Sequence, residues 1–513
     1  MIRAISRDLG GSALARHALT GDLPDWYAVQ LSGGDEWSTV ANATAMEFAG
    51  RAWLDELLPA LQPSGAAAER LRSTAAGSGV VVTGGQQPGL FGGPLYVLNK
   101  AITMLEMADA LQVAINRPVA PVFWAATDDA DFVEASHVGV VRRGKLDELT
   151  MLDPNAVGLS MANMPLGDVT QQLTRLEEAC GSASTAGALE AVRSAYATGT
   201  SVGGAYLALL RSLLEPLGIA VLDASHAAVR RAGHSTVLRA LDRADVVTRA
   251  LATRSKEIAA AGFHAQVADI PNLSLVFETL DDATRRRVSL TTAASVARNV
   301  PRERLGPNVL LRPVMERQIL PTVCYIGGPG EVAYFAQVSA VAHALDLAVP
   351  RIVPRWSGTL MESHIETILD RFGATITDFA DPHAMETRVA REGVSSGVRS
   401  AIADLRASLE SVTAELHDDK QTTEALARSI GTMRAGVEHR LARLERRYSA
   451  AIKQAGTDEL RDVELVRATL YPAGDPQERV LSYVPFLARY GSSALDAMRA
   501  EARRHVVGVI HGD

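Results

Sequence analysis

Four short apolar runs recur along the chain, each closed by a glycine-rich or acidic turn: Val80–Thr83, Ala120–Ala126, Ile219–Asp223 and Val323–Ile326. Two of them lead into helical patterns. After the first, Leu95, Leu98, Ile102, Leu105, Ala108 and Leu111 recur at spacings of three and four, one face of an amphipathic helix. After the fourth, Val332, Phe335, Val338, Val341 and Leu345 repeat that spacing closely. Strands alternating with helices predict an α/β fold with a largely parallel sheet. "VPRIVPR" (349–355) adds a candidate short strand bounded by its prolines.

Two long intervals separate these units, and both exceed what a simple loop needs. Residues 140–200 mix a polar loop with an alanine-rich helix. Residues 227–320 carry helices, then "NLSLVFETL" and "RRRVSLT", which read as a strand pair. Beyond about 385 the grammar changes. Val398, Ile402, Leu405, Leu409, Val412 and Leu416 are spaced 4-3-4-3-4, a heptad seam. The polar stretch "HDDKQTTE" (417–424) interrupts it, and Leu426, Ile430, Met433 and Val437 resume it. This predicts a paired helical arm, folded on itself near 417–424 or paired with a second subunit. The predicted organisation is a first core half (1–139), an insertion (140–200), core (201–226), a second insertion (227–310) and a second core half (311–384). A coiled-coil arm (385–456) follows, then a segment packing back on the core (457–513).

Composition narrows the class. The 513 residues carry a net charge of −8, which argues against a broad nucleic-acid footprint. No apolar run reaches the roughly 20 residues of a membrane helix, so no membrane partner is expected. Arg3, Arg7 and Asp8 stand where a signal peptide would place its apolar core. Cys180 and Cys324 supply neither a disulfide framework nor a metal-ligand cluster, and a reducing cytoplasm is expected. Lysine is scarce, five against 46 arginines, which singles out Lys100 just beyond a glycine-rich turn.

That turn, in "VVTGGQQPGLFGGPLYVLNKA", is the first candidate site. A strand, a glycine turn and a helix start expose backbone N–H groups and a positive dipole end, where phosphate or carboxylate binds. Gly84, Gly85, Gly89 and Gly92 would let a ligand approach, and Gln86 and Gln87 add donors; a tight structural connection is the alternative. The pattern is not a P-loop. A second turn, "CYIGGPGEVAYFAQ", supplies Gly327, Gly328, Gly330 and Glu331. Gly328, Gly330 and Ala333 formally fit a dinucleotide fingerprint, but Arg355 stands where an NAD site wants an acid. The third candidate is "FWAATDDADF", with Asp128, Asp129 and Asp131 at the end of a strand. These carboxylates would hold an ammonium or Mg2+ or take a proton, and N-capping with solvated charge is the alternative. Arg312 and Arg317 suit bidentate carboxylate recognition, and an ordinary surface pair is the alternative.

At these residues the chain resembles the cysteine ligase family of bacillithiol biosynthesis. The similarity lies in the three stretches above, in "GFHAQV", in "NVLLRPVMERQILPTV" ahead of the second turn, and in "PQERVLSYVPFLARYG", all in family order. The resemblance implies a Rossmann-like core like that of nucleotidylyltransferases, with connecting-peptide insertions and a coiled-coil arm pairing two subunits. The implied reaction joins the carboxyl group of cysteine to the amine of glucosaminyl malate. It needs carboxyl activation, for which a nucleotide such as ATP with Mg2+ is the expected co-substrate. On this reading the glycine turns hold phosphates, the Asp128–Asp131 loop the cysteine ammonium or Mg2+, and the arginines the malate carboxylates. Lys100, Asp128 and Asp131 are the expected catalytic groups. Ala130 departs from the acidic-acidic-His-Asp run expected of the family. A nucleotide-sugar or NAD(P)-dependent enzyme and a non-catalytic coiled-coil scaffold are the other classes.

Overall fold

Apart from Gln86 and Asp223 at their carboxyl ends, the core strands are built of apolar residues, glycine and threonine, because the sheet is covered on both faces, as parallel sheets are. The computed structural model describes residues 1–20, 23, 26–154, 156–182, 187–197, 199–381, 383–456 and 458–512. Five strands form the central sheet: β1 (Val80–Gln86), β2 (Val119–Ala125), β3 (Ala220–Asp223), β4 (Thr322–Gly327) and β5 (Ile352–Pro354). Their order is β5-β4-β1-β2-β3, every pair parallel.

Helix α1 (Leu95–Ile115) carries the chain from β1 to β2, and α2 (Pro329–Ala344) carries it from β4 to β5 in the opposite direction across the sheet. The order therefore reverses between β1 and β4, and the carboxyl ends of these two strands border a crevice of the kind where open α/β sheets bind ligands. Both helices are more deeply buried than one amphipathic face would predict. Thirteen of the sixteen residues of α2 are buried, because helices Ala13–Thr20 and Ala244–Ala260 cover its outer side. Helix Ser492–His511 covers α1 in the same way, and its Arg499 and Arg503 close on the buried Glu106.

The described chain divides into two units, residues 1–140, 147–363 and 478–513 in one, and 141–146 with 364–477 in the other. The second unit thus includes residues before 385, and 458–477 fall within it. The candidate pair "NLSLVFETL" and "RRRVSLT" forms antiparallel strands Leu273–Thr279 and Arg285–Ser289, joined by Leu305–Pro307.

In the second unit the arm folds on itself. Helices α3 (Ser396–Asp418) and α4 (Glu424–Ala455) are separated by the polar stretch, which is a built turn. Asp419 Oδ1 accepts from Gln421 N at 2.8 Å, Thr422 Oγ1 donates to Leu416 O at 2.6 Å, and Thr423 caps α4. Between the helices, Arg406 binds Glu445 through two hydrogen bonds of 2.9 and 2.8 Å. Only part of the apolar seam is covered: Ile402 and Leu441 are buried, while Leu405, Val412, Leu416, Leu426, Met433 and Leu444 stay 41–55% exposed.

Candidate active site

A single buried ammonium ties the two glycine turns together. Lys100, on the second turn of α1, is 1% exposed and donates to Gly85 O at 2.6 Å, Gln86 Oε1 at 3.0 Å and Glu331 Oε2 at 2.6 Å. Glu331 Oε2 also accepts from Gly328 N at 2.6 Å, and its Oε1 accepts from Tyr325 Oη at 2.5 Å. Burial raises the Glu331 carboxyl, but Lys100 and these donors outweigh it and hold it below the usual range. Burial also pulls the Lys100 ammonium below its ordinary value, against the pull of Glu331. With three acceptors on three N–H groups, Lys100 clamps β1 to α2 and has no donor left for a phosphoryl group. In this arrangement its contacts are those of a positioning residue.

The glycines also answer to packing. An added Cβ at Gly84 would lie 2.7 Å from Met104 Sδ and 3.0 Å from Ile326 O, and one at Gly85 would lie 2.5 Å from Trp124 O. At Gly89 it would meet Gly93 Cα at 2.7 Å, and at Gly92, where φ is +89°, Tyr483 Oη at 1.8 Å. Tyr196 Oη seals this half of the turn, accepting from Gly92 N at 3.2 Å and donating to Gly89 O at 3.1 Å. The first turn's glycines thus admit neighbouring strands, a helix and two tyrosines, which is the structural alternative. In the second turn Gly327 is closed by Ile352, whereas a Cβ on Gly330 would meet only Gln266 Nε2, at 4.0 Å. Open backbone lies here, at the positive end of α2.

The acidic loop joins the same crevice through Gln87, whose Nε2 donates to Asp129 Oδ2. Its three carboxylates are not left to repel one another. Asp129 Oδ1 accepts from Ala130 N and Asp131 N at 2.6 and 3.1 Å. Asp131 caps the short helix Phe132–Ala135, its Oδ1 accepting from Glu134 N at 3.1 Å, and its side chain is exposed. Asp128 Oδ2 sits 3.2 Å from Arg230 Nη2 and 3.7 Å from Arg285 Nη2. Among the described residues no group of three or more His, Cys, Asp or Glu side chains is arranged to hold a metal ion.

Neither expected arginine faces the crevice as a free fork. Arg312 lies beneath it, bonded to Glu316 at 2.8 Å and to the hydroxyls of Tyr325 and Tyr334 at 3.1 and 3.3 Å. Arg317 is turned to helix Gly34–Glu47, where Glu47 and Thr44 receive it at 2.7 and 3.3 Å. Arg355, the residue that argued against an NAD site, forms a buried two-pronged pair with Glu478 at 2.7 and 2.8 Å. Asn99 and Ser357 also donate to Glu478, at 2.6 and 2.8 Å. Since Glu331 already takes Gly328 N, the dinucleotide fingerprint lacks a free backbone donor at its first glycine. Glu478, Arg230 and Arg285 were not singled out from sequence. Glu478 lay within the quoted "PQERV", and Arg230 had an indirect signal in Gly306, where a Cβ would come within 1.3 Å of its Nη1.

Neither buried cysteine is poised as a thiolate. Burial pushes the Cys324 thiol up to about 12 and the Cys180 thiol up to about 11. What the crevice offers is binding and orientation: a helix N-terminus, amide donors at Gln86 and Gln87, and the outward carboxylate of Asp131.

A parallel core with its crevice at the point of strand reversal, joined to a helical hairpin, defines a Rossmann-like protein with a coiled-coil region. The family model described as "Bacillithiol biosynthesis BshC, N-terminal Rossmann-like domain" matches residues 47–356, and that described as "Bacillithiol biosynthesis BshC, C-terminal coiled-coil domain" matches 358–506. The chain belongs to the BshC family. Its relatives named "Putative cysteine ligase BshC" include one from Solibacter usitatus, 29% identical over 95% of this chain and 94% of the relative. Others come from Koribacter versatilis, 31% identical over 89% and 86%, and Salinibacter ruber, 30% identical over 84% and 83%. The protein is thus an enzyme of the ligase class. No helix among the described residues is long and apolar enough to cross a membrane.

Proposed function

We propose that the enzyme forms an amide between the carboxyl group of cysteine and the amine of glucosaminyl malate, completing the thiol-bearing half of bacillithiol. The observation that carries this reading is the family match across both the core and the arm. A nucleotide such as ATP, with Mg2+, supplies the group that activates the carboxyl when bound. The residues that suit its phosphates are Gly330 and Glu331 in the first turn of α2, where N–H groups have no partner within the helix and the dipole is positive. Gln86 and Gln87 line the same crevice as donors. Asp131 suits the cysteine ammonium, because its cap uses only Oδ1. Lys100 and Glu331 hold the two turns in register. The pair of free, buried cysteines suits a reducing cytoplasm.

The same reading pairs two subunits through the arm. Its support is the half-exposed seam on α3 and α4, a row of apolar side chains that a folded hairpin alone leaves in water.

Incubating the purified protein with cysteine, glucosaminyl malate, ATP and Mg2+ is expected to yield a product whose mass is the sum of the two substrates less one water. Omitting the nucleotide should abolish it. Failure to form this amide with any nucleoside triphosphate would overturn the reading.

A further inference from the structure

Three buried cations around the crevice each have a carboxylate of their own. Lys100 is met by Glu331, Arg312 by Glu316 and Arg355 by Glu478. At the end of β2, however, two guanidiniums share one carboxylate: Arg230 and Arg285 both face Asp128 Oδ2. Asp223, the next acid along, attracts Arg230 from farther away; among the described residues it forms no salt bridge with either fork, and its Oδ1 accepts from Thr127 Oγ1 and from Ser225 N and Oγ. Two forks carry ten N–H donors between them. The acceptors within reach are few, and Arg285 Nε is buried with none.

The pair is held firmly. The Arg285 guanidinium lies 4.4 Å from the Phe277 ring centroid and donates to the main-chain oxygen of Asp128. Arg230 occupies the space that a side chain at position 306 would fill, so the strand there has to be glycine. The side chains of Arg230, Arg285 and Asp128 remain 7, 9 and 14% exposed, so the cluster is recessed but not sealed. A guanidinium fork fixed in plane, partly dehydrated and left with an unpartnered Nε–H is the arrangement that recognises carboxylates.

We infer that Arg230 and Arg285 form the subsite for the two carboxylates of the malyl group, with Asp128 as the pair's resident counter-charge. This inference rests on the ligase reading, because that reading supplies a dicarboxylate acceptor. The subsite sets acceptor specificity: cysteine loses its carboxylate charge on activation, whereas the malyl carboxylates keep theirs throughout. Asp128 then acts by holding the forks apart and oriented, which departs from its expected role as an ammonium or Mg2+ ligand.

The test compares two acceptors, glucosaminyl malate and methyl glucosaminide, which lacks the malyl group. For the wild type, KM for glucosaminyl malate should be lower by about tenfold or more. Arg285→Lys and Arg230→Lys keep the charge but lose the fork. Each should raise KM for glucosaminyl malate about tenfold while KM for cysteine stays within about twofold, shrinking the preference for the malyl acceptor. In the wild type, L-malate should inhibit competitively against glucosaminyl malate, which needs no variant to fold. Variants that lose turnover with both acceptors in equal proportion, or noncompetitive malate inhibition, would overturn the subsite. Should the wild type ligate neither acceptor, the ligase reading fails. Calorimetric titration with L-malate then judges the pair alone: binding lost in Arg285→Lys supports an anion site, and no binding by the wild type removes it.

Discussion

Lys100→Met is expected to lower the stability of the folded chain by about 3 kcal/mol, the usual cost of stranding one partner of a buried ion pair. The methionine fits the space, but Glu331 would keep a charge with Tyr325 Oη and Gly328 N as its remaining partners. Gly85 O and Gln86 Oε1 would each lose a donor as well. Adding Glu331→Gln should return a large part of the loss, since the uncompensated charge disappears with it. Denaturant midpoints of the wild type, the two single variants and the double variant give the coupling directly. Additive effects in that cycle would mean that Lys100 does not clamp the two turns.

The second large effect concerns assembly. Leu405 on α3 and Leu426 on α4 are 55% and 51% exposed within one chain. Burying a leucine side chain is worth about 1.5–3 kcal/mol, and a two-fold interface would bury each of them twice. Leu405→Glu combined with Leu426→Glu is therefore expected to weaken a dimer by more than about a thousandfold. Sedimentation equilibrium should show wild-type dimers and variant monomers, with the circular dichroism of both unchanged. A monomeric wild type, or a variant that remains dimeric, would show that the seam does not pair subunits.

Much of this fold was legible because buried parallel strands leave a plain signature. The runs before Gly84, Thr127, Ala224 and Gly328 became β1, β2, β3 and β4, and even the three-residue β5 was marked by its prolines. The arm was legible for a similar reason: a heptad seam, then a polar stretch whose Asp419 and Thr423 make turn and cap. Pairings distant in sequence were not legible. Strand Ile2–Ser6 pairs with Gly358–Glu362, more than 350 residues away, and neither stretch alternates strongly enough to announce it. The hairpin His137–Arg142 and Lys145–Thr150 had read as a polar loop. Its turn, Arg143 and Gly144 at φ +52° and +78°, is a poorer signal than the usual Asn-Gly.

The site was legible in place more than in role. Both glycine turns and the acidic loop do converge, and the scarcity of lysine did point to Lys100. Glycine, however, has the same spelling whether a ligand or a neighbouring side chain requires the space. Only the positions of Tyr483, Met104 and Trp124 separate the two. Arginine has the same difficulty. Arg312 and Arg317 stood beside a suggestive strand yet are paired internally, while Arg230 and Arg285 reach Asp128 from elements 102 and 157 residues away.

The most direct test of the crevice between β1 and β4 as the reaction site is hydrogen–deuterium exchange with ligands present. Full-length protein would be compared alone and with cysteine, glucosaminyl malate, Mg2+ and a non-hydrolysable ATP analogue. The predicted result is slower exchange in peptides covering Gln86–Gly89, Thr127–Glu134 and Gly328–Glu331, with α3 and α4 unchanged. Unaltered exchange in all three segments, with protection confined to 364–477, would contradict it.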